Sequence, residues 1–181
     1  MSHAIEQLTG QYGLFFCVEC GKCVAACPMG EIFDDFSYEV SPRGIIEKVL
    51  LDSRMLEDGG STVPALSGVE GLTTSRLWFC LTCDLCTDLC PAGVRFRDFV
   101  EAARRLAIEA GDTEHGSFCR DCGAYLWPHH TVEYLRQTLG EAAEELLTLC
   151  PRCRQRRFGE KVKALVPGSR QVQRTQTRGS R

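Results

Sequence analysis

Cys17-Val-Glu-Cys20-Gly-Lys-Cys23-Val-Ala-Ala-Cys27-Pro28 and Cys80-Leu-Thr-Cys83-Asp-Leu-Cys86-Thr-Asp-Leu-Cys90-Pro91 are two copies of one spacing, C-x2-C-x2-C-x3-C-P. Three closely spaced thiolates of this kind wrap three irons of a cubane iron–sulfur cluster, and the remote fourth turns outward. Where two such runs share a chain, the fourth cysteine ligates the other cluster. The spacing therefore predicts one cluster on Cys17, Cys20, Cys23 and Cys90, and a second on Cys80, Cys83, Cys86 and Cys27. That exchange would staple two distant segments together and bring the cubes side by side.

Two other uses of eight cysteines compete with this one. Disulfides belong to oxidising compartments and small secreted domains. The opening residues, Met1-Ser2-His3-Ala4-Ile5-Glu6-Gln7, show no basic segment followed by an apolar one, so no secretion signal is expected. Zinc is usually held by two cysteine or histidine pairs across a longer gap, not by four cysteines in one short run.

The totals bound the rest. A chain of 181 residues makes one ordinary domain or two small ones. Twelve cysteines without a secretion signal read as metal ligands. No run approaches the roughly eighteen apolar residues of a membrane span, so the expectation is a soluble, cytoplasmic protein. The apolar patch Ala102–Ala110 is broken by Arg104, Arg105 and Glu109. The net charge of −3 hides an asymmetry: residues 151–181 carry ten basic side chains against Glu160 alone, a net +9, which leaves −12 for residues 1–150. A basic end of this kind is either solvated or docks on an acidic partner surface, with nucleic acid a third reading.

Periodicity predicts mainly α structure. Ser41-Pro42 opens a helix, with serine as the cap and proline where its missing N–H is harmless. Ile45, Ile46, Val49 and Leu50 then form one stripe, and the helix should fade before Asp58-Gly59-Gly60. Residues 59–71 read as a glycine- and serine-rich loop. Asp98 is expected to cap a further helix with Glu101 in a capping box; Phe99, Ala103, Leu106 and Ala110 would line its inner face and Gly111 would stop it. Lys22 lies in the first run and Leu85 in its place in the second, where Gly21 is replaced by Asp84. Positive charge favours the more negative, reduced cluster, so the cluster near Lys22 is expected to have the higher potential.

The order of these features resembles the dicluster iron–sulfur subunit of heterodisulfide reductase and related α-helical dicluster ferredoxins. The resemblance rests on both cysteine runs, on Ser41-Pro42-Arg43-Gly44-Ile45-Ile46, on Leu77-Trp78-Phe79 before Cys80, and on Phe99–Leu106. It covers about residues 12–110. It implies electron relay in a multi-subunit oxidoreductase, between a flavin subunit and a terminal, cysteine-rich catalytic subunit, with no small-molecule substrate of its own. Related iron–sulfur subunits serve succinate and anaerobic glycerol-phosphate dehydrogenases, so a membrane-bound, quinone-linked dehydrogenase is the alternative setting. A cluster-containing regulator that binds nucleic acid is a more distant one. No adjacent Cys-Cys pair, as in the family's disulfide-reducing subunit, and no G-x-G-x-x-G is present. No catalytic residues are expected, and Glu19 and Asp84 read as surface residues near the clusters.

A third group, Cys119-Arg-Asp-Cys122-Gly123 and Cys150-Pro-Arg-Cys153, places two C-x2-C knuckles 27 residues apart. The pattern fits a closed four-cysteine zinc site. A mono-iron or cubane redox site and a dithiol pair remain open. Thr131 is expected to cap an intervening helix with Val132, Leu135, Leu139, Ala143 and Leu146 inward, weakened by Gly140, while His129 and His130 occupy a loop. The whole reads as an α-helical ferredoxin-like dicluster domain over 1–112, a small zinc-ribbon-like domain over 113–166 and a disordered basic tail over 167–181.

Overall fold

The computed structural model describes residues 2–34, 36–57 and 76–165. The expected loop over 59–71 and the expected tail over 167–181 lie outside them. The described residues are mostly helical, with one two-stranded sheet.

The first half repeats one plan twice. A 3-10 turn, Leu14–Phe16, leads into Cys17, and another, Arg76–Phe79, leads into Cys80. Each cysteine loop then opens a one-turn helix, α2 (Lys22–Ala25) in the first run and its counterpart Leu85–Asp88 in the second. Before the first plan comes α1 (Ser2–Gln11), and between the two lie α3 (Met29–Ile32) and α4 (Pro42–Glu57). The Leu85–Asp88 helix is α5, and α6 (Phe96–Glu109) follows it.

Ser41 caps α4 as its sequence requires. Its Oγ accepts a hydrogen bond from the Gly44 N–H at 3.1 Å and donates to the Tyr38 carbonyl. Ile45, Ile46 and Val49 are buried, with Leu50 packed beside them. They meet Leu14, Leu77, Phe96, Phe99, Val100 and Ala103 in one core, whose rim includes Cys17, Cys80, Cys86 and Cys90. The core of the dicluster region thus reaches the cysteines directly.

Helix α6 departs from its expected start. It begins at Phe96, and Arg95 takes the cap position, so Asp98 falls inside the first turn and Glu101 pairs with Arg97. Two buried aromatics, Phe96 and Phe99, fix the entry. The buried stripe runs Phe99, Val100, Ala103, Arg104, Ala107, while Ala110 is exposed. Gly111, at φ 99°, ends the helix as expected.

Beyond it, β1 (Gly116–Phe118) pairs antiparallel with β2 (Tyr125–Pro128), with an irregularity between Ser117 and Phe118. Helix α7 (His129–Leu139) starts earlier than expected and takes both histidines into its first turn. Gly140, at φ 67°, does more than weaken the helix: it ends it, and a 3-10 turn and α8 (Glu144–Thr148) follow. Val132 and Ala143 are buried as expected, but Leu139 and Leu146 are exposed, and Leu147 fills the inner position. The break at Gly140 resets the helical phase, so one stripe cannot run through it. Helix α9 (Pro151–Leu165) closes the described chain.

An aromatic seam joins the two halves. Trp78 stacks on His115 and Phe79 on His130, at ring separations of 6.0 and 4.4 Å. Phe33 meets Phe79, His130 and Tyr134 edge-on. The residues just before Cys80 therefore form the contact surface.

Candidate metal centres

The two cysteine loops share a backbone device. Glu19 and Gly21 have φ of 54° and 76°, and the equivalent Thr82 and Asp84 have 53° and 72°. Left-handed residues at these two places turn the chain so that a helix starts immediately after: Val24 N–H bonds to the Gly21 carbonyl and Thr87 N–H to that of Asp84. An arginine from a following helix clamps each loop. Arg43 donates to the Glu19 carbonyl and, at 2.9 Å, to its carboxylate. Arg97 reaches the Asp84 carboxylate at 3.1 Å. Glu19 and Asp84 are thus loop anchors at the surface.

Packing of the loops brings cysteines of the two runs together. Cys90 of the second run lines one cavity with Cys17, Cys20 and Cys23 of the first, with Cys86 alongside. Pro42, Ile46, Val94 and Phe96 form its apolar wall. In the opposite direction, Cys27 is raised in pKa chiefly by burial, and among its thiol neighbours Cys80 and Cys83 act on it more than Cys23 of its own run. Burial also pushes up Cys23 and Cys80, and it lifts Cys86 to about 12, with neighbouring thiols adding to each rise. Such thiols resist ionising one at a time and give up their protons when metal takes their place. Backbone donors already point at two sulfurs: Thr82 N–H lies 3.3 Å from Cys80 Sγ and Val94 N–H 3.4 Å from Cys90 Sγ. All twelve cysteines are free of disulfides. The donor set suits iron–sulfur clusters.

The third group has different dimensions. The sulfurs of Cys119, Cys122, Cys150 and Cys153 all lie within 4.8 Å of one another, and Cys122 and Cys150 are 3.6 Å apart. A metal–sulfur bond of about 2.3 Å puts tetrahedral thiolates about 3.8 Å apart. A cubane needs wider spacing, because four irons stand between the sulfurs. The group is therefore sized for a single ion. Gly123, at φ 70°, turns the first knuckle, and the Cys150 N–H reaches Cys119 Sγ at 3.3 Å. That bond holds Cys119 down to about 6, whereas burial pushes Cys153 up to about 12. Asp121, inside the first knuckle, accepts hydrogen bonds from Arg157 Nε and Nη2, at 2.8 and 2.5 Å, tying α9 to the site and holding its own carboxyl below the ordinary range. His129 and His130 stay outside the group; His130 stacks on Phe79.

Arg104, which in sequence reads only as a polar break in an apolar patch, belongs to the site. Its side chain is buried and donates to the carbonyls of Leu77 and Cys80, with the guanidinium 5.6 Å above the Trp78 ring. One signal of this is present in the sequence: Arg104 falls on the helical stripe of Val100 and Ala107, four residues after the one and three before the other.

Residues 13–94 match the family described as a 4Fe-4S dicluster domain. The CoB–CoM heterodisulfide reductase iron–sulfur subunit of Methanopyrus kandleri is 36% identical over 95 residues, covering 52% of this chain and 40% of that protein. A subunit of the ferredoxin/F420H2-dependent CoB–CoM heterodisulfide reductase from Methanosarcina acetivorans is 27% identical over 85% of this chain and 95% of its own length. The glycolate oxidase iron–sulfur subunit of Escherichia coli is 34% identical over 50% of this chain and 19% of its own. The matched region spans less than half of the Methanopyrus protein. No solved structure matches the chain. Residues 13–94 thus match a 4Fe-4S dicluster domain, in a chain that resembles the iron–sulfur subunit of heterodisulfide reductases and bears a C-terminal four-cysteine segment.

Proposed function

We propose that this chain is a non-catalytic electron-relay subunit of a heterodisulfide-reductase-like complex, standing between a flavin subunit and a terminal catalytic subunit. Cys17, Cys20, Cys23 and Cys90 hold one [4Fe-4S] cluster, and Cys80, Cys83, Cys86 and Cys27 the other. The carrying observation is that Cys90 lines the cavity of the first run; the influence of Cys80 and Cys83 on the buried Cys27 thiol supports the reciprocal half. Bound clusters supply one-electron chemistry; the chain's own residues hold, shield and tune them. Cys119, Cys122, Cys150 and Cys153 hold one zinc ion, supported by the close approach of their four sulfurs. This segment, from about residue 113, docks the relay on a neighbouring subunit. Among the described residues no helix is long and apolar enough to cross a membrane.

Metal and sulfide analysis of anaerobically purified protein tests the reading. The expected tally is about eight irons, eight sulfides and one zinc per chain. Four irons would remove the second cluster, and an extra iron in place of zinc would make the third site redox-active. The similarity to the glycolate oxidase subunit supports a second setting, a relay in another oxidoreductase. Identifying the co-purifying subunits separates the two.

A further inference from the structure

We propose that Arg104 sets the potential of the cluster on Cys80, Cys83, Cys86 and Cys27, and makes it the higher-potential cluster of the two. This inference rests on the cluster reading above and reverses the ordering expected from Lys22.

The charges near each run decide the matter. On the first side Lys22 is exposed, and its field is screened by solvent and salt. Arg43, which lines that cavity, is ion-paired with Glu19, so it adds little net charge. On the second side Asp84 is ion-paired with Arg97, which also pairs with Glu101 in a half-exposed chain of charges. Arg104 differs from all of these. It is 3% exposed, and among the described residues no carboxylate forms an ion pair with it. Its hydrogen bonds go to the Leu77 and Cys80 carbonyls, and Tyr125 stands beside it. Glu101 also acts on it, more weakly than Cys80 does.

A buried guanidinium that no carboxylate pairs with among the described residues is costly, and it stays protonated. The guanidinium donates to the Cys80 carbonyl at 2.6 Å, which seats it against a ligand of the second cluster. In a low-dielectric setting that cation interacts with a cluster several times more strongly than an exposed lysine does. It stabilises the reduced state, which carries one more negative charge. Arg104 is therefore a tuning residue that acts through charge and through the carbonyl of a ligand.

EPR-monitored redox titration of the full, anaerobically purified chain tests this. Cys20→Ser and Cys83→Ser assign each signal to its run. The wild-type cluster perturbed by Cys83→Ser is expected to titrate at the higher potential. Arg104→Gln should lower that potential by at least tenfold in the one-electron equilibrium, about 59 mV. The other cluster should move less than threefold, and Arg104→Lys should retain most of the wild-type value. Lys22→Gln should shift its own cluster less than Arg104→Gln shifts the second. A higher potential for the cluster perturbed by Cys20→Ser overturns the proposal, as do equal shifts of both clusters in Arg104→Gln. If Arg104→Gln loses iron, the wild-type ordering and Arg104→Lys still decide. An iron and sulfide count without two clusters would remove the underlying reading instead, and that count is made first.

Discussion

Thr82 is the one β-branched residue that the described chain holds in left-handed backbone, at φ 53°. Left-handed backbone disfavours such residues by about 1–2 kcal/mol, and asparagine tolerates it far better. Thr82→Asn is therefore expected to stabilise the loaded protein by about 1 kcal/mol in urea unfolding, with its Cys80 N–H···S bond intact. Cys27→Ser probes the exchange between runs: it should abolish the cluster signal that depends on Cys80, Cys83 and Cys86 and remove about half the iron. Loss of the other signal would mean that Cys27 serves its own run. At this scale the sequence displays the thiols, because ligand spacing is local. It conceals the roles of Arg43 and Arg97, because a surface arginine and one clamped on a distant loop read alike until the loop is placed.

At the scale of elements, α4 shows how completely a cap can be legible. Ser41, Pro42 and the stripe Ile45, Ile46, Val49 all take the places their chemistry predicts. Gly44 carries a further constraint that no local pattern announces: a Cβ there would fall on the Tyr38 carbonyl oxygen. Gly44→Ala should destabilise the protein by about 1–3 kcal/mol despite alanine's better helix propensity, read as a lowered urea midpoint. The starts of α6 and α7 are less legible. Asp98 has the chemistry of a cap, yet burial of Phe96 pulls the helix three residues earlier. His129 and His130 have the chemistry of a loop, yet stacking of His130 on Phe79 rewards a helical turn. In both cases tertiary packing outweighs a signal worth about 1 kcal/mol.

For the molecule as a whole, the thiols couple stability to pH through metal. In protein stripped of metal, Cys86 and Cys153 are raised to about 12 from an ordinary 9.0. Their neutral forms favour the fold fully below the ordinary value. The unfolded chain releases its protons first as pH climbs past that point, so stability falls between the ordinary and the raised values. Urea melts of the stripped chain should show a lower midpoint at about pH 10 than at about pH 8, and metal-loaded protein should not. Across the seam, Trp78 and Phe79 pack on His115 and His130 immediately before Cys80. Chelation of the third site should loosen this contact and make Cys80 more accessible to thiol reagents, with the visible iron–sulfur absorption showing whether the clusters survive.

The cavity shared by Cys17, Cys20, Cys23 and Cys90 has a consequence for biogenesis. A chain emerging from the ribosome offers only three of those four sulfurs until residue 90 has cleared the exit tunnel and the second loop has folded back. With the ligand exchange proposed above, delivery of the inorganic core trails translation, and a polypeptide truncated after the first run should leave its cysteines open to oxidation.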